Sequence, residues 1–224
     1  MTAEIGSEKS LRDYYRLRAQ EYEGIYLRDD AQRQLEQLGL AAAVGRVCLN
    51  RDVLEIACGT GYWTQFADRV ARHVTAIDTA SSVLEIASSK DLRRTRFLAG
   101  DAYSPPEHEH GYSAGLALFW FSHVPRARHE EFLTAFHTRL EKGGRVLIGD
   151  NQDLPGVGGE LSEADSGGDT FKTRRLADGT VHRVLKNYFS AAEITGLLSP
   201  FATELKVQSG TCFWWAEYTT RGDI

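Results

Sequence analysis

The sequence predicts a single α/β domain: a seven-stranded, mostly parallel sheet closed by an antiparallel C-terminal hairpin, with helices on both faces. Three observations carry this prediction. Short, continuous apolar runs alternate with stretches of helical periodicity over residues 52–149, the pattern of parallel strands buried on both sides. The first run, Asp52-Val53-Leu54-Glu55-Ile56-Ala57, stops at a glycine turn, Cys58-Gly59-Thr60-Gly61. The last two runs, 204–208 and 211–219, flank Ser209-Gly210, which reads as a two-residue hairpin turn. At 224 residues, 42% hydrophobic and 25% charged, the chain can bury one sizeable core.

Taken in order, residues 8–44 are rich in Leu, Ala, Gln, Glu and Arg, lack proline, and repeat apolar side chains at helical spacing, as at Leu35, Leu38 and Ala42. Two helices are expected there, making residues 1–45 a helical N-terminal cap. A helix over 62–71 follows the glycine turn, then a strand over 73–78 and a helix over 81–89 with Thr79 or Ser81 as its cap. Residues 96–99 and 114–120 read as the third and fourth strands, 128–140 as a helix, and 145–149 as the fifth strand after the Lys142-Gly143-Gly144 turn. Residues 151–170 are glycine-rich and acidic with almost no apolar period, the composition of a mobile loop or lid. Strand-like residues return at 181–185, and a helix is expected over 191–198. Residues 151–186 are therefore read as an insertion supplying part of a ligand pocket. Of the adjacent Trp214 and Trp215, alternation puts one in the core and leaves the other available to the opposite face.

Charge and cysteine usage exclude several classes. A net charge of −5 gives no field to gather polyanions, so neither nucleic acid nor an acidic membrane is an expected partner. The short basic clusters Arg93-Arg94-Thr95-Arg96 and Thr173-Arg174-Arg175 read as solvated faces. Cys48, Cys58 and Cys212 are odd in number and widely spaced, which fits a reducing cytoplasm better than a disulfide framework or a structural zinc site. No apolar run reaches the roughly 18 residues of a membrane-spanning helix, and the first residues have no signal-type apolar core. A cytoplasmic monomer or homodimer is the expectation.

A glycine turn between strand and helix offers backbone N–H groups and the positive end of a helix to a ligand. Phosphate binding of the P-loop type needs Gly-Lys-Ser/Thr, whereas Gly61 is followed by Tyr62-Trp63. A dinucleotide fingerprint needs a third glycine where Thr64 stands. The third ligand class is S-adenosylmethionine. Glu55-Ile-Ala-Cys-Gly59-Thr60-Gly61 resembles the first motif of class I methyltransferases, which implies a Rossmann-like fold and that cofactor. The resemblance implies that Asp78, ending the second strand, holds the ribose hydroxyls. It implies that Asp101 and Ala102, ending the third, read the adenine amino group and ring nitrogen. It also implies that Gly59, Thr60 and Gly61 admit the methionine end while Glu55 answers its amine. Trp63, Thr79 and Phe119 complete the expected cofactor set. The run Asp13-Tyr14-Tyr15-Arg16-Leu17-Arg18-Ala19-Gln20-Glu21-Tyr22 resembles the leading helix of small-molecule members, which implies that Tyr15, Arg18 and Tyr22 close over the cofactor.

Methyl transfer from a sulfonium is a displacement that rests on alignment, and a base is needed only for a neutral hydroxyl acceptor. His123, in Phe119-Trp120-Phe121-Ser122-His123-Val124-Pro125 after the fourth strand, is the candidate base, with a structural role as the alternative. At least two of Phe119, Trp120 and Phe121 are expected in the core. The segment lacks the Asn/Asp-Pro-Pro-Tyr and Pro-Cys motifs of nucleic-acid methyltransferases. Asp150-Asn151 matches two ligands of the metal-dependent catechol type, but the third is missing, so no metal is expected. The predicted activity is methyl transfer to an O or N atom of a small-molecule acceptor. An NAD(P)-binding oxidoreductase and a non-catalytic cofactor-binding protein on the same fold stay open as alternatives.

Overall fold

The structure, a computed structural model, describes residues 19–175 and 179–221, with side chains from residue 23 onward. A 3₁₀ segment, Ala19–Tyr26, leads to helix α1, Ala31–Cys48. Asp30 caps α1 through its carboxylate, which accepts the Arg33 N–H at 3.0 Å. Strand β1 (Asp52–Ile56), helix α2 (Thr64–Asp68), strand β2 (His73–Asp78), helix α3 (Ser81–Ser88) and strand β3 (Thr95–Ala99) follow, then strand β4 (Tyr112–Leu118), helix α4 (His129–His137) and strand β5 (Leu140–Asn151). Strands β6 (Glu160–Leu161), β7 (Phe171–Arg175) and β8 (Val181–Leu185) precede helix α5 (Ala191–Leu198) and strands β9 (Ala202–Ser209) and β10 (Phe213–Thr220).

The main sheet has seven strands in the order β3-β2-β1-β4-β5-β10-β9. The first five are parallel, and β10 joins antiparallel to β5 and β9. The strand order reverses at β1 and β4, and there the carboxyl ends of neighbouring strands leave a crevice for a ligand. Side chains alternate between two cores. Leu54, Ile56, Val146, Ile148, Trp214 and Tyr218 pack beneath α4 and α5, while Val53, Leu116, Leu147, Phe213 and Trp215 pack beneath α1 and α2. Both faces being covered, Trp214 and Trp215 are both buried, and neither is left to line an exposed face.

Several boundaries differ from the sequence expectation. The helix expected over 62–71 is confined to Thr64–Asp68, because Tyr62 and Trp63 belong to a cavity wall instead. The first expected helix is 3₁₀ over its described part, and α1 runs on to Cys48. The segment 151–170 is not loop throughout: Glu160–Leu161 pairs with β7, which pairs with β8 in a separate three-stranded antiparallel sheet. The hairpin turn has three residues, 210–212, not two, with Gly210 N–H donating to the Phe213 carbonyl at 2.8 Å. No helix among the described residues is long and apolar enough to cross a membrane.

Candidate active site

A cavity of about 340 Å³ opens at the carboxyl ends of β1, β2, β3 and β4. Its floor is the glycine turn after β1. Gly59 there has φ +55°, a conformation few side chains adopt, and a Cβ on it would meet open space. Gly61, with φ +77°, faces Ala87 and Phe97 instead, so it shapes the turn and its packing on α3 without lining the cavity. Asp78 ties this turn to β2: Oδ2 accepts the Gly59 N–H and Oδ1 the Ala80 N–H, each at 2.9 Å. Burial raises the Asp78 pKa, with the bonds from Ala80, Gly59 and Thr79 opposing it. Each oxygen keeps lone-pair capacity toward the cavity, as bonding to paired hydroxyls requires.

Glu55 lies beneath, 2% exposed, with Oε2 buried and lacking a hydrogen-bond partner. Burial, eased by Thr64 and reinforced by Asp78, lifts its carboxyl to about 8. An orphaned carboxylate oxygen under a cavity is a place for an ammonium group. Thr60, Thr79, Asp101 and Ala102 also line the cavity. Asp101 Oδ1 accepts the Tyr103 N–H at 2.9 Å, fixing the turn after β3. Trp63 and Phe119 stack with centroids 5.6 Å apart, and Tyr26 stacks on Tyr62 at 3.8 Å, so an aromatic wall covers one side. Phe119 holds φ +59°, strain retained at the end of β4 where its ring meets the cavity. Phe121 is core, and Trp120 is half-buried on the cavity wall.

Of the residues expected to close the site, Tyr15 and Arg18 lie outside the described residues, and Tyr22 lies in the 3₁₀ segment with its side chain outside them. Tyr26, one turn further on and not anticipated, lines the cavity. Glu23 beside it accepts from Thr60 Oγ1 at 2.8 Å and pairs with Lys90, whose Nζ also donates to the Thr60 carbonyl. The 3₁₀ segment is thus fastened directly to the glycine turn.

His123 stands where this cavity meets a second one of about 80 Å³, and it lines both. Its Nδ1 faces the Leu185 carbonyl at 2.7 Å, so Nδ1 carries the proton and Nε2 is the acceptor nitrogen of the neutral ring. Burial, then the nearby Lys186 charge, lowers its pKa to about 3 despite Asp150. Behind it, Lys186 Nζ donates to Asp150 at 2.9 Å and to Ser122 Oγ at 2.5 Å, and Asp150 also accepts from the Ser122 and Asn151 N–H groups. Burial opposes ionisation of Asp150, but Lys186 and these bonds outweigh it and hold its pKa below the usual value. Asp150, the candidate metal ligand of the catechol-type comparison, is therefore engaged by a lysine. No cluster of three metal-ligating side chains occurs among the described residues.

Sequence reasoning missed the cations of the second cavity, Arg28, Arg33, Arg174 and Lys186. Arg174 had been assigned to a solvated face, yet its Nε is buried. Nothing local in the sequence marks the four, which come from well-separated segments.

Comparison with known proteins agrees with this fold. The family described as "Methyltransferase domain" matches residues 53–144. No curated protein matches the chain significantly. Among solved structures, DhpI as its SAH complex is 27% identical with TM-score 0.74, covering 96% of this chain and 97% of that one. A DhpI–SAM–HEP complex gives 27%, 0.76, 97% and 99%. The 1,6-didemethyltoxoflavin-N1-methyltransferase of Burkholderia thailandensis, bound to its namesake and S-adenosylhomocysteine, shares the fold at 17% identity and TM-score 0.64, covering 98% and 93%. The cofactor is S-adenosylmethionine. Residues 53–144 match the methyltransferase domain family, and the chain is an S-adenosylmethionine-dependent methyltransferase.

Proposed function

We propose that this methyltransferase acts on an oxygen or nitrogen of a small-molecule acceptor seated between the cofactor cavity and the 151–186 region. The observation that carries this reading is the junction at Phe119 and His123, which line both cavities. Glu55 would take the cofactor amine, Asp78 the ribose hydroxyls, and Asp101 with the Ala102 N–H the adenine edge. When bound, the cofactor would supply a methyl group on a sulfonium, an electrophile that would leave sulfur with the bonding electron pair on transfer. The chain's own contribution is alignment and exclusion of water, with the aromatic wall of Tyr26, Trp63 and Phe119 closing the cavity.

A neutral His123 with Nδ1 tied to Leu185 lines the junction of the two cavities, where it would orient a hydroxyl or amine. Its low pKa makes it an orienting acceptor first, with proton removal following only as the acceptor becomes acidic during transfer. The three cysteines, all buried and unbridged, fit the cytoplasmic location expected from the sequence. The test is transfer of labelled methyl to a panel of phenols, amines and acids. His123→Ala should lower kcat on the order of 10²-fold while S-adenosylhomocysteine affinity stays within about twofold. Full turnover in a folded His123→Ala protein would leave positioning by the cavity walls as the whole mechanism.

A further inference from the structure

Beside His123, the smaller cavity is lined by Arg28, Arg33, Arg174 and Lys186, and by no Asp or Glu. We propose that this cavity is an oxyanion subsite, so that the methyl acceptor is a small molecule carrying a carboxylate, phosphate or phosphonate group. The proposal rests on the reading above and names its substrate class. Only Lys186 among the four is neutralised, by Asp150, and the neighbouring Lys172 is taken by Asp153 at 3.1 Å. Among the described residues, no carboxylate pairs with the guanidinium groups of Arg28, Arg33 or Arg174. In a chain of net charge −5, three unneutralised guanidiniums in one recess are a local concentration of positive charge that surface averaging does not explain.

Two of the three guanidiniums are also built in. Arg33 is 6% exposed, lies 4.6 Å over the Phe213 ring, and has a buried Nε without a hydrogen-bond partner. Arg174 has the same defect at its Nε. The loop after β5 is shaped around it: Gly158 has φ +79°, and a Cβ there would fall 2.4 Å from Arg174 Nη1. Burial, then the charge of Arg28, holds Arg33 below its ordinary pKa, against smaller opposing effects of Cys212, Tyr26 and Asp30. Buried, unsatisfied N–H donors of like charge are costly, and an oxyanion offsets both costs, since planar guanidinium forks match carboxylate and phosphate oxygens. About 80 Å³ is small against the roughly 300–1,000 Å³ of whole ligand sites, so the cavity suits a headgroup whose remaining atoms reach His123 and Phe119.

The experiment uses the full chain saturated with S-adenosylhomocysteine, titrated calorimetrically with inorganic phosphate, ethylphosphonate and acetate. At least one should bind saturably, and Arg174→Gln and Arg28→Gln should each weaken it about tenfold with cofactor affinity unchanged. Arg28 is exposed, so its variant leaves the core intact. Gly158→Ala should reproduce the Arg174→Gln loss by displacing that guanidinium. Tighter binding of phosphate and ethylphosphonate than of acetate assigns a phosphorus oxyacid, and the reverse a carboxylic acid. No saturable binding by any of the three, or equal binding in the arginine variants, overturns the subsite while leaving the methyltransferase reading intact. Failure to bind S-adenosylhomocysteine would instead strike the reading beneath it.

Discussion

Burial keeps the Glu55 carboxyl protonated at neutral pH in the free protein, since its pKa of about 8 stands well above the ordinary 4.5. A cofactor ammonium placed on Oε2 favours the ionised form, so binding should expel the proton. The sign follows from linkage: with the free-state pKa raised and the bound-state pKa lowered, affinity rises with pH between those values and levels off above about 8. At pH 7, S-adenosylhomocysteine binding should release close to one proton, seen as a calorimetric enthalpy that tracks the ionisation enthalpy of the buffer. Glu55→Gln should abolish that dependence. Equal enthalpies in phosphate and Tris would place the amine elsewhere. That Glu55, Asp78 and Asp101 share one cavity was legible in the sequence because each stands at the end of a locally recognisable strand. The contacts that bring them together are a property of parallel pairing, which places those ends side by side.

Between elements, the least visible device joins α1 to the β9–β10 hairpin. Glu36, 8% exposed, accepts the N–H groups of Thr211, Cys212 and Phe213 at 2.8–2.9 Å and the side-chain amide of Gln32 at 2.8 Å. Burial opposes its charge, but these bonds lower its pKa overall. Gly210 makes room, since a Cβ there would lie 2.4 Å from Glu36 Oε2. The carboxylate substitutes for the backbone pairing of a two-residue turn, which explains why the hairpin has three turn residues. Helical periodicity revealed α1, but no local pattern pairs Glu36 with residues 175–177 positions away. Glu36→Ala strands the buried N–H donors of Cys212 and Phe213 and should cost about 2–6 kcal/mol, taking about 1–3 kcal/mol for each. Urea unfolding should show it as a lower midpoint with an unchanged slope. A loss under about 0.5 kcal/mol would mean that water replaces the carboxylate.

Across the whole molecule, legibility divides by range. Strand and helix alternation follows from short repeating patterns, so a mostly parallel sheet with helices on both faces could be read from the sequence. The cationic cavity could not, because Arg28 and Arg33 meet Arg174 and Lys186 only after the 151–186 segment folds against β5. The fold also buries three histidines. Burial lowers His123 to about 3 and both His129 and His137 to about 4, against an ordinary 6.5. His137 is held neutral by Nδ1–H donation to the Leu133 carbonyl and an Nε2 contact to the Tyr218 hydroxyl. With folded pKa values depressed, the unfolded chain takes up protons first as pH falls below 6.5, so stability drops through the window from 6.5 to about 4. Glu55 acts oppositely, because its raised pKa makes the folded state hold a proton that the unfolded chain has lost between 4.5 and 8. Three histidines against one glutamate leave a net uptake of about two protons on unfolding near pH 5.5, a slope of about 2.7 kcal/mol per pH unit. Cofactor-free protein unfolded in urea at pH 7, 6 and 5 should lose stability at each step, and His137→Gln should shallow the slope by about one proton. A midpoint that holds steady or rises between pH 6 and 5 would mean that the buried imidazoles charge without unfolding.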